Sequence, residues 1–216
     1  MKSHHEPVEF HGKNRAMPPK AQPVALRIEW RDIEPLIWRR IIVANHWTLA
    51  ALHHYVQWVM GWSDTHAHEF QLKERVIAPA WWIKEVELDT PSVDYLDERR
   101  FSVAAVANEL GIGGEFEYRY DMGDGWRHRL IVEAVPAAWS AIDLPLPACS
   151  AGENACPPED VGGPPGYEHF LSVIGDPKCE DFEDTLRWIG GPFDPRGFDL
   201  NRINREWRGG KRRRSS

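Results

Sequence analysis

Cysteine is scarce. Cys149, Cys156 and Cys179 are all that the 216-residue chain holds. Three thiols cannot close a disulfide framework, and a structural zinc site would show a shorter Cys pair than Cys149 and Cys156, or a second pair. Free, reduced thiols in a cytoplasmic setting are therefore expected. Long apolar runs are missing as well. No stretch approaches the ~18–20 residues that a membrane-spanning helix needs, and the opening segment MKSHHEPVEFHGKNR lacks the apolar middle of a signal peptide. Positive charge is in deficit, with 26 Lys and Arg against 33 Asp and Glu for a net charge of −7. The deficit is uneven: residues 202–216 carry +6, residues 1–22 carry +2, and the body from 23 to 201 is left at −15. An acidic body excludes a protein that tracks a phosphate backbone over its whole surface. Only the tail, through Arg208, Lys211, Arg212, Arg213 and Arg214, offers non-specific nucleic-acid contact.

What is present points to a folded domain. Hydrophobic residues make up 42% of the chain and charged residues 27%, with eleven tryptophans, a balance typical of globular proteins. The length allows one domain with appendages. Residues 1–22 show no periodicity and read as a flexible arm, residues 23–208 as a single α+β domain, and residues 209–216 as a disordered basic tail.

Val24, Leu26, Ile28 and Trp30 alternate with polar or small neighbours, as in a half-buried strand. LIWRRIIVAN is apolar on both faces and suits a strand nearer the sheet centre. Thr48 can cap a helix carrying Leu49, Leu52, Val56 and Val59 at helical spacing, which Gly61 stops. Residues 67–83 read as a strand pair, 84–100 as a loop, and Ser102–Leu110 as a short helix. Two alternating runs, Phe116-Tyr118-Tyr120 and Trp126-His128-Leu130-Val132, flank Gly123-Asp124-Gly125 and predict a hairpin with Arg127 and Arg129 outward. A Pro/Gly-rich loop over 136–165 precedes helices near 166–174, 179–189 and 200–208, the last capped by Asp199. Strands first and helices later predict an α+β fold: an antiparallel sheet with hairpins, one long helix in the N-terminal half and a C-terminal group of short helices.

Five segments, PLIWRRIIV, TLAALHHYVQWVMGW with THAHEF, YRYDMGDGWRHRLIVE, CPPEDVGGPPGYEHFL and GGPFDPRGFDLNRIN, together resemble the plasmid pRiA4b ORF-3-like family. The resemblance covers roughly residues 22–208. It implies a cytoplasmic α+β domain of unestablished activity, and members are often labelled TnpR-like passengers of IS1096-type insertion elements. That label suggests a resolvase, but the residues do not supply one. The early chain holds only Ser3 as a serine nucleophile, and on a strand Arg127 and Arg129 point away from His128, so the three cannot gather on one phosphate.

Chemistry concentrates in a few places. His66 and His68 share a face if extended, and His128 lies on the apolar side of the hairpin. With a ligand from Cys156, Glu159 or Asp160 they would make a divalent metal site, zinc being the natural occupant. Against this, His68 and His128 also read as packed core histidines. Asp121 and Asp124 flank the hairpin turn, and rigid Pro-Pro and Gly-Gly pairs bracket Glu159-Asp160, so these carboxylates are candidate binding residues, as is Trp126. Trp81 and Trp82 are adjacent, and on a strand one of them must face away from the core. The favoured reading is a binding or interaction module with an unknown protein partner or ligand. A metal-dependent hydrolase built on His66, His68, His128 and the PPED loop, and a nucleic-acid accessory acting through the tail, are the alternatives.

Overall fold

The period-2 segments become neighbouring strands of one sheet. The computed structural model describes residues 21–86, 93–140 and 145–209. In chain order its elements are β1 (Pro23–Trp30), β2 (Trp38–Ala44), α1 (Leu49–Met60), β3 (His68–Leu72), β4 (Arg75–Ala78), α2 (Ala80–Val86), β5 (Tyr95–Asp97), α3 (Val103–Leu110), β6 (Glu115–Tyr120), β7 (Trp126–Glu133), α4 (Ala137–Ser140), β8 (Ala148–Glu153), α5 (Gly163–Ile174), α6 (Phe182–Trp188) and α7 (Leu200–Arg208). The eight strands form a single sheet in the order β5-β4-β3-β6-β7-β1-β2-β8. Every pairing is antiparallel except β4 with β5. The fold is α+β.

Register sorts the two faces. Ile77, Phe70, Tyr118, His128 and Trp30 lie opposite one another on successive strands, a buried row across the sheet. Apolar residues of α1, α3, α5 and α7 join that inner face in one core. The outer face is a lattice of opposite charges: Glu117 pairs with Arg119, Arg127 and Arg31, and Arg129 with Glu115. Arg127 and Arg129 thus point outward from the hairpin, as the alternation predicts. Helix starts are set by side chains that accept the free N–H groups. Thr48 accepts from Ala51, Ser102 from Ala105 and Asp199 from Arg202.

Several expectations need correction. α1 is not a distinctively long helix, since α5 has the same twelve residues. The strand pair at 67–83 ends at Ala78, and Trp81 and Trp82 stand on α2 rather than on a strand. Their environments still differ: the Trp82 indole donates to Glu69, whereas Trp81 is 56% exposed. The supposed loop at 84–100 contains β5 and a 3₁₀ turn at Glu98–Arg100, and the one at 136–165 contains α4 and β8. β8 has few large apolar side chains, and at Gly152 it has no room for one. A Cβ on Gly152 would lie 2.7 Å from the Phe198 ring and 2.9 Å from the Arg39 side chain. Among the described residues no helix is long and apolar enough to cross a membrane.

Candidate functional site

Three loops converge at one end of the inner face: the segment after α1, the hairpin turn between β6 and β7, and the PPED loop. Gly61, left-handed at φ 88°, ends α1 and redirects the chain. Trp62 then donates its indole N–H to the Pro157 carbonyl at 3.0 Å and stacks on Tyr120. Glu159 fastens the loops. Its carboxylate accepts hydrogen bonds from the Ser63 backbone at 2.9 Å, the Ser63 hydroxyl, the Thr65 hydroxyl at 3.1 Å and the Tyr120 hydroxyl. Burial alone would push this carboxyl up, but those donors outweigh it and hold it below its ordinary value. Burial and the facing Glu159 carboxylate push the Tyr120 hydroxyl up.

The hairpin turn docks on the same loop. Asp124 accepts from the Gly162 backbone at 3.1 Å, and a Cβ on Gly163 would sit 2.2 Å from the Asp124 carbonyl oxygen, so only glycine permits this approach. Asp121 accepts from the backbone N–H groups of Gly123 and Asp124 through Oδ1. Its Oδ2 lies 3.5 Å from His66 Nε2, while Asp160 Oδ1 lies 2.8 Å from that same nitrogen. One ligand atom each from His66, Asp121 and Asp160 falls within 4.8 Å of the others.

Five of the residues singled out from sequence therefore share this junction: His66, Asp121, Asp124, Glu159 and Asp160. The set of His66, His68 and His128 does not form, because β3 begins only at His68 and leaves His66 in a bend before it. His68 turns inward to pair with Glu98 at 2.7 Å, its ring stacked on His53 at 3.4 Å. His128 is fully buried, with Trp30 and Trp62 edge-on against its ring, and Nδ1 donates to the Tyr118 carbonyl at 3.1 Å. Burial pushes its pKa down to about 4, so it is neutral. Trp126, 1% exposed and packed against Trp62, presents no surface to a partner. Cys156 faces Arg39 rather than the histidines, with 3.0 Å between its sulfur and Nη2. Arg208 is exposed at the end of α7, and Lys211, Arg212, Arg213 and Arg214 lie outside the described residues.

Sequence reading missed a second group, His53, His54 and Asp64. The doublet His53-His54 beside a helix's apolar stripe was the available signal. Both nitrogens of His53 are engaged, Nδ1 with the Tyr118 hydroxyl at 2.8 Å and Nε2 with Asp64 at 2.7 Å. Burial pushes the His53 pKa down to about 4. For Asp64, burial is outweighed by its hydrogen bonds to His53 and His54, and its carboxyl is held well below the usual range.

Two cavities flank the 63–66 segment. The larger, about 630 Å³, is bounded by Ser63, Thr65, Glu159 and Asp160 on one side and by Arg39, Cys156 and Phe198 on another. The smaller, about 560 Å³, is lined by His53, His54, Asp64, His66, His68 and Trp81.

Fold and site together define an α+β protein with a largely antiparallel eight-stranded sheet, whose histidine and carboxylates gather at a loop junction. The model of the plasmid pRiA4b ORF-3-like protein family matches residues 22–202, and the chain belongs to that family. It is 30% identical over 190 residues to the uncharacterized protein y4hQ of Sinorhizobium fredii (strain NBRC 101917 / NGR234), covering 86% of this chain and 90% of that protein. It is also similar to the crystal structure of the protein of unknown function MM3350 from Methanosarcina mazei Go1. That match has a TM-score of 0.71 and 32% identity, and covers 84% of this chain and 97% of the other.

Proposed function

We propose that the protein is an accessory binding module, without recombinase activity, that holds a divalent cation at His66, Asp121 and Asp160. The observation that carries this reading is the convergence of one imidazole and two carboxylates from three separate loops. Their oxygens lie 2.8 and 3.5 Å from His66 Nε2. Ligands at bond lengths of ~2.0–2.1 Å in a tetrahedral shell sit about 3.3 Å from one another, so the loops need to move little to close around an ion. One nitrogen and two oxygens suit zinc or manganese better than calcium.

A cation with three protein ligands leaves a position for water, whose pKa it lowers toward ~7, so hydrolysis is the chemistry such a centre supplies. The neighbouring cavities give a ligand somewhere to sit: Asp160 borders the larger one and His66 the smaller. Two things support an accessory role over recombination. Members of the family that the chain resembles are often labelled insertion-element passengers, and Arg127 and Arg129 lie on the sheet face opposite His128.

The test is calorimetric titration of tag-free protein with zinc chloride, followed by manganese. One equivalent per chain is expected. His66→Ala and Asp160→Asn should each weaken binding at least about 10-fold, the scale seen when metal sites are disturbed, while His54→Ala should leave it unchanged. Absence of stoichiometric binding, or full affinity in both site variants, overturns the reading.

A further inference from the structure

Arg39 lies on the inner face of β2 and is 2% exposed. Three of its hydrogen bonds go to backbone carbonyls: Nη1 to Trp38 and Glu153, Nη2 to Asn154. The fourth goes from Nη2 to the Cys156 sulfur at 3.0 Å. Its Nε is buried with no hydrogen-bond partner, and the Phe198 ring covers the guanidinium at 4.5 Å. Among the described residues no carboxylate forms an ion pair with it. A guanidinium does not give up its proton, and a buried charge without a counter-charge is costly. Of the groups bonded to Arg39, the Cys156 thiol is the one that can become an anion.

We propose that Cys156 is a thiolate held by Arg39, and that the wall of the larger cavity, which the two residues share, is a site of covalent modification by soft electrophiles. The surroundings agree. From α1 the Val59 carbonyl and the Met60 sulfur lie 3.9 and 4.0 Å from the Cys156 sulfur. From β8 and α5, the Cys149 thiol and the Tyr167 hydroxyl are neutral, burial pushing each up to about 12. α7 brings Asp199 and Arg202 to the same cavity with opposite signs, and Asp199 is committed to capping the helix. Glu159, on Cys156's own loop, is turned toward Ser63, Thr65 and Tyr120. The guanidinium is in hydrogen-bond contact with the sulfur, and an adjacent cation favours the thiolate. This inference stands apart from the cation site, because Cys156 is not among its ligands.

Iodoacetamide tests it on the full native chain. The thiolate attacks the methylene carbon, a sulfur–carbon bond forms, and iodide leaves with the electrons of the broken carbon–iodine bond. Alkylation of each cysteine is followed by peptide mass spectrometry from about pH 5 to about pH 10, with buried Cys149 as the internal control. The Cys156 rate should level off with a midpoint at least one unit below the ~8.5 of a free cysteine. Arg39→Met should raise that midpoint by at least a unit, and Arg39→Lys should keep it low. Because Arg39→Met also removes three hydrogen bonds to backbone carbonyls, its fold is checked by circular dichroism, and the wild-type midpoint decides by itself if the variant does not fold. A wild-type midpoint at or above ~8.5, or a folded Arg39→Met variant with an unchanged midpoint, overturns the proposal.

Discussion

Acid should unfold this protein through two histidines that cannot accept a proton where they are. His128 and His53 are buried and held neutral, each pushed down to about 4 chiefly by burial. In the unfolded chain both return to ~6.5. The sign follows directly. Below ~6.5 the unfolded state binds protons that the native state refuses, so stability is complete above that value and is lost as pH falls toward 4. Between about pH 7 and about pH 4.5 each histidine should cost about 2 kcal/mol, or about 4–5 kcal/mol together. That is a large part of the ~5–15 kcal/mol typical of a domain. Urea unfolding at the two pH values measures the loss. His128→Leu isolates one contribution: the variant forfeits the hydrogen bond to the Tyr118 carbonyl, but its loss of stability between the two pH values should be about 2 kcal/mol smaller than wild type. An identical pH dependence in wild type and His128→Leu would falsify the assignment of His128 as a neutral core residue.

Two further outcomes test the architecture. Trp126→Ala should destabilise the protein by ~3–5 kcal/mol in urea unfolding, since a fully buried indole is replaced by a cavity, and a variant as stable as wild type would contradict the hairpin register. Glu159→Ala should cost about 2–3 kcal/mol, because Ser63, Thr65 and Tyr120 lose a charged acceptor. It should also weaken zinc binding, and a variant that keeps both stability and zinc affinity would show that this carboxylate does not fasten the loops.

Legibility from sequence followed local physics. The Thr48 cap, the Gly61 stop and the β6–β7 alternation are written in adjacent residues, and each appears where its chemistry requires. The same alternation places Trp126 and His128 inward, which makes them core residues and removes them from any site. β8 is hard to read because Ala148, Ser150, Ala151 and Gly152 carry no apolar period, and at Gly152 the Phe198 ring and the Arg39 side chain leave no room for a Cβ. α2 was missed because Trp81-Trp82 reads equally well as strand. His53 lay one residue from the apolar stripe of α1, and nothing local announces that its partners are Tyr118 on β6 and Asp64 beyond the helix.

The candidate centre was half legible for a related reason. Its residue types could be singled out, but their grouping depends on backbone conformations that no periodicity encodes. Asp64, Asp121 and Asp160 all adopt positive φ, between 55° and 61°, a region that aspartate tolerates better than most side chains because its carboxylate can bond nearby backbone. Asp121 does this, spending one oxygen on its own turn and leaving the other toward His66. Asp160 turns its carboxylate to the same nitrogen from the loop that Glu159 fastens and Asp124 braces. The carboxylates are thus aimed by loop conformation, and the loops are held by the rigid sheet and α1 beneath them. Side chains presented in this way, from loops fixed on a scaffold, are where binding chemistry is most often found. Sequence spacing alone led to a trio of histidines on strands; the assembled loops instead pair a single histidine with two aspartates from distant turns.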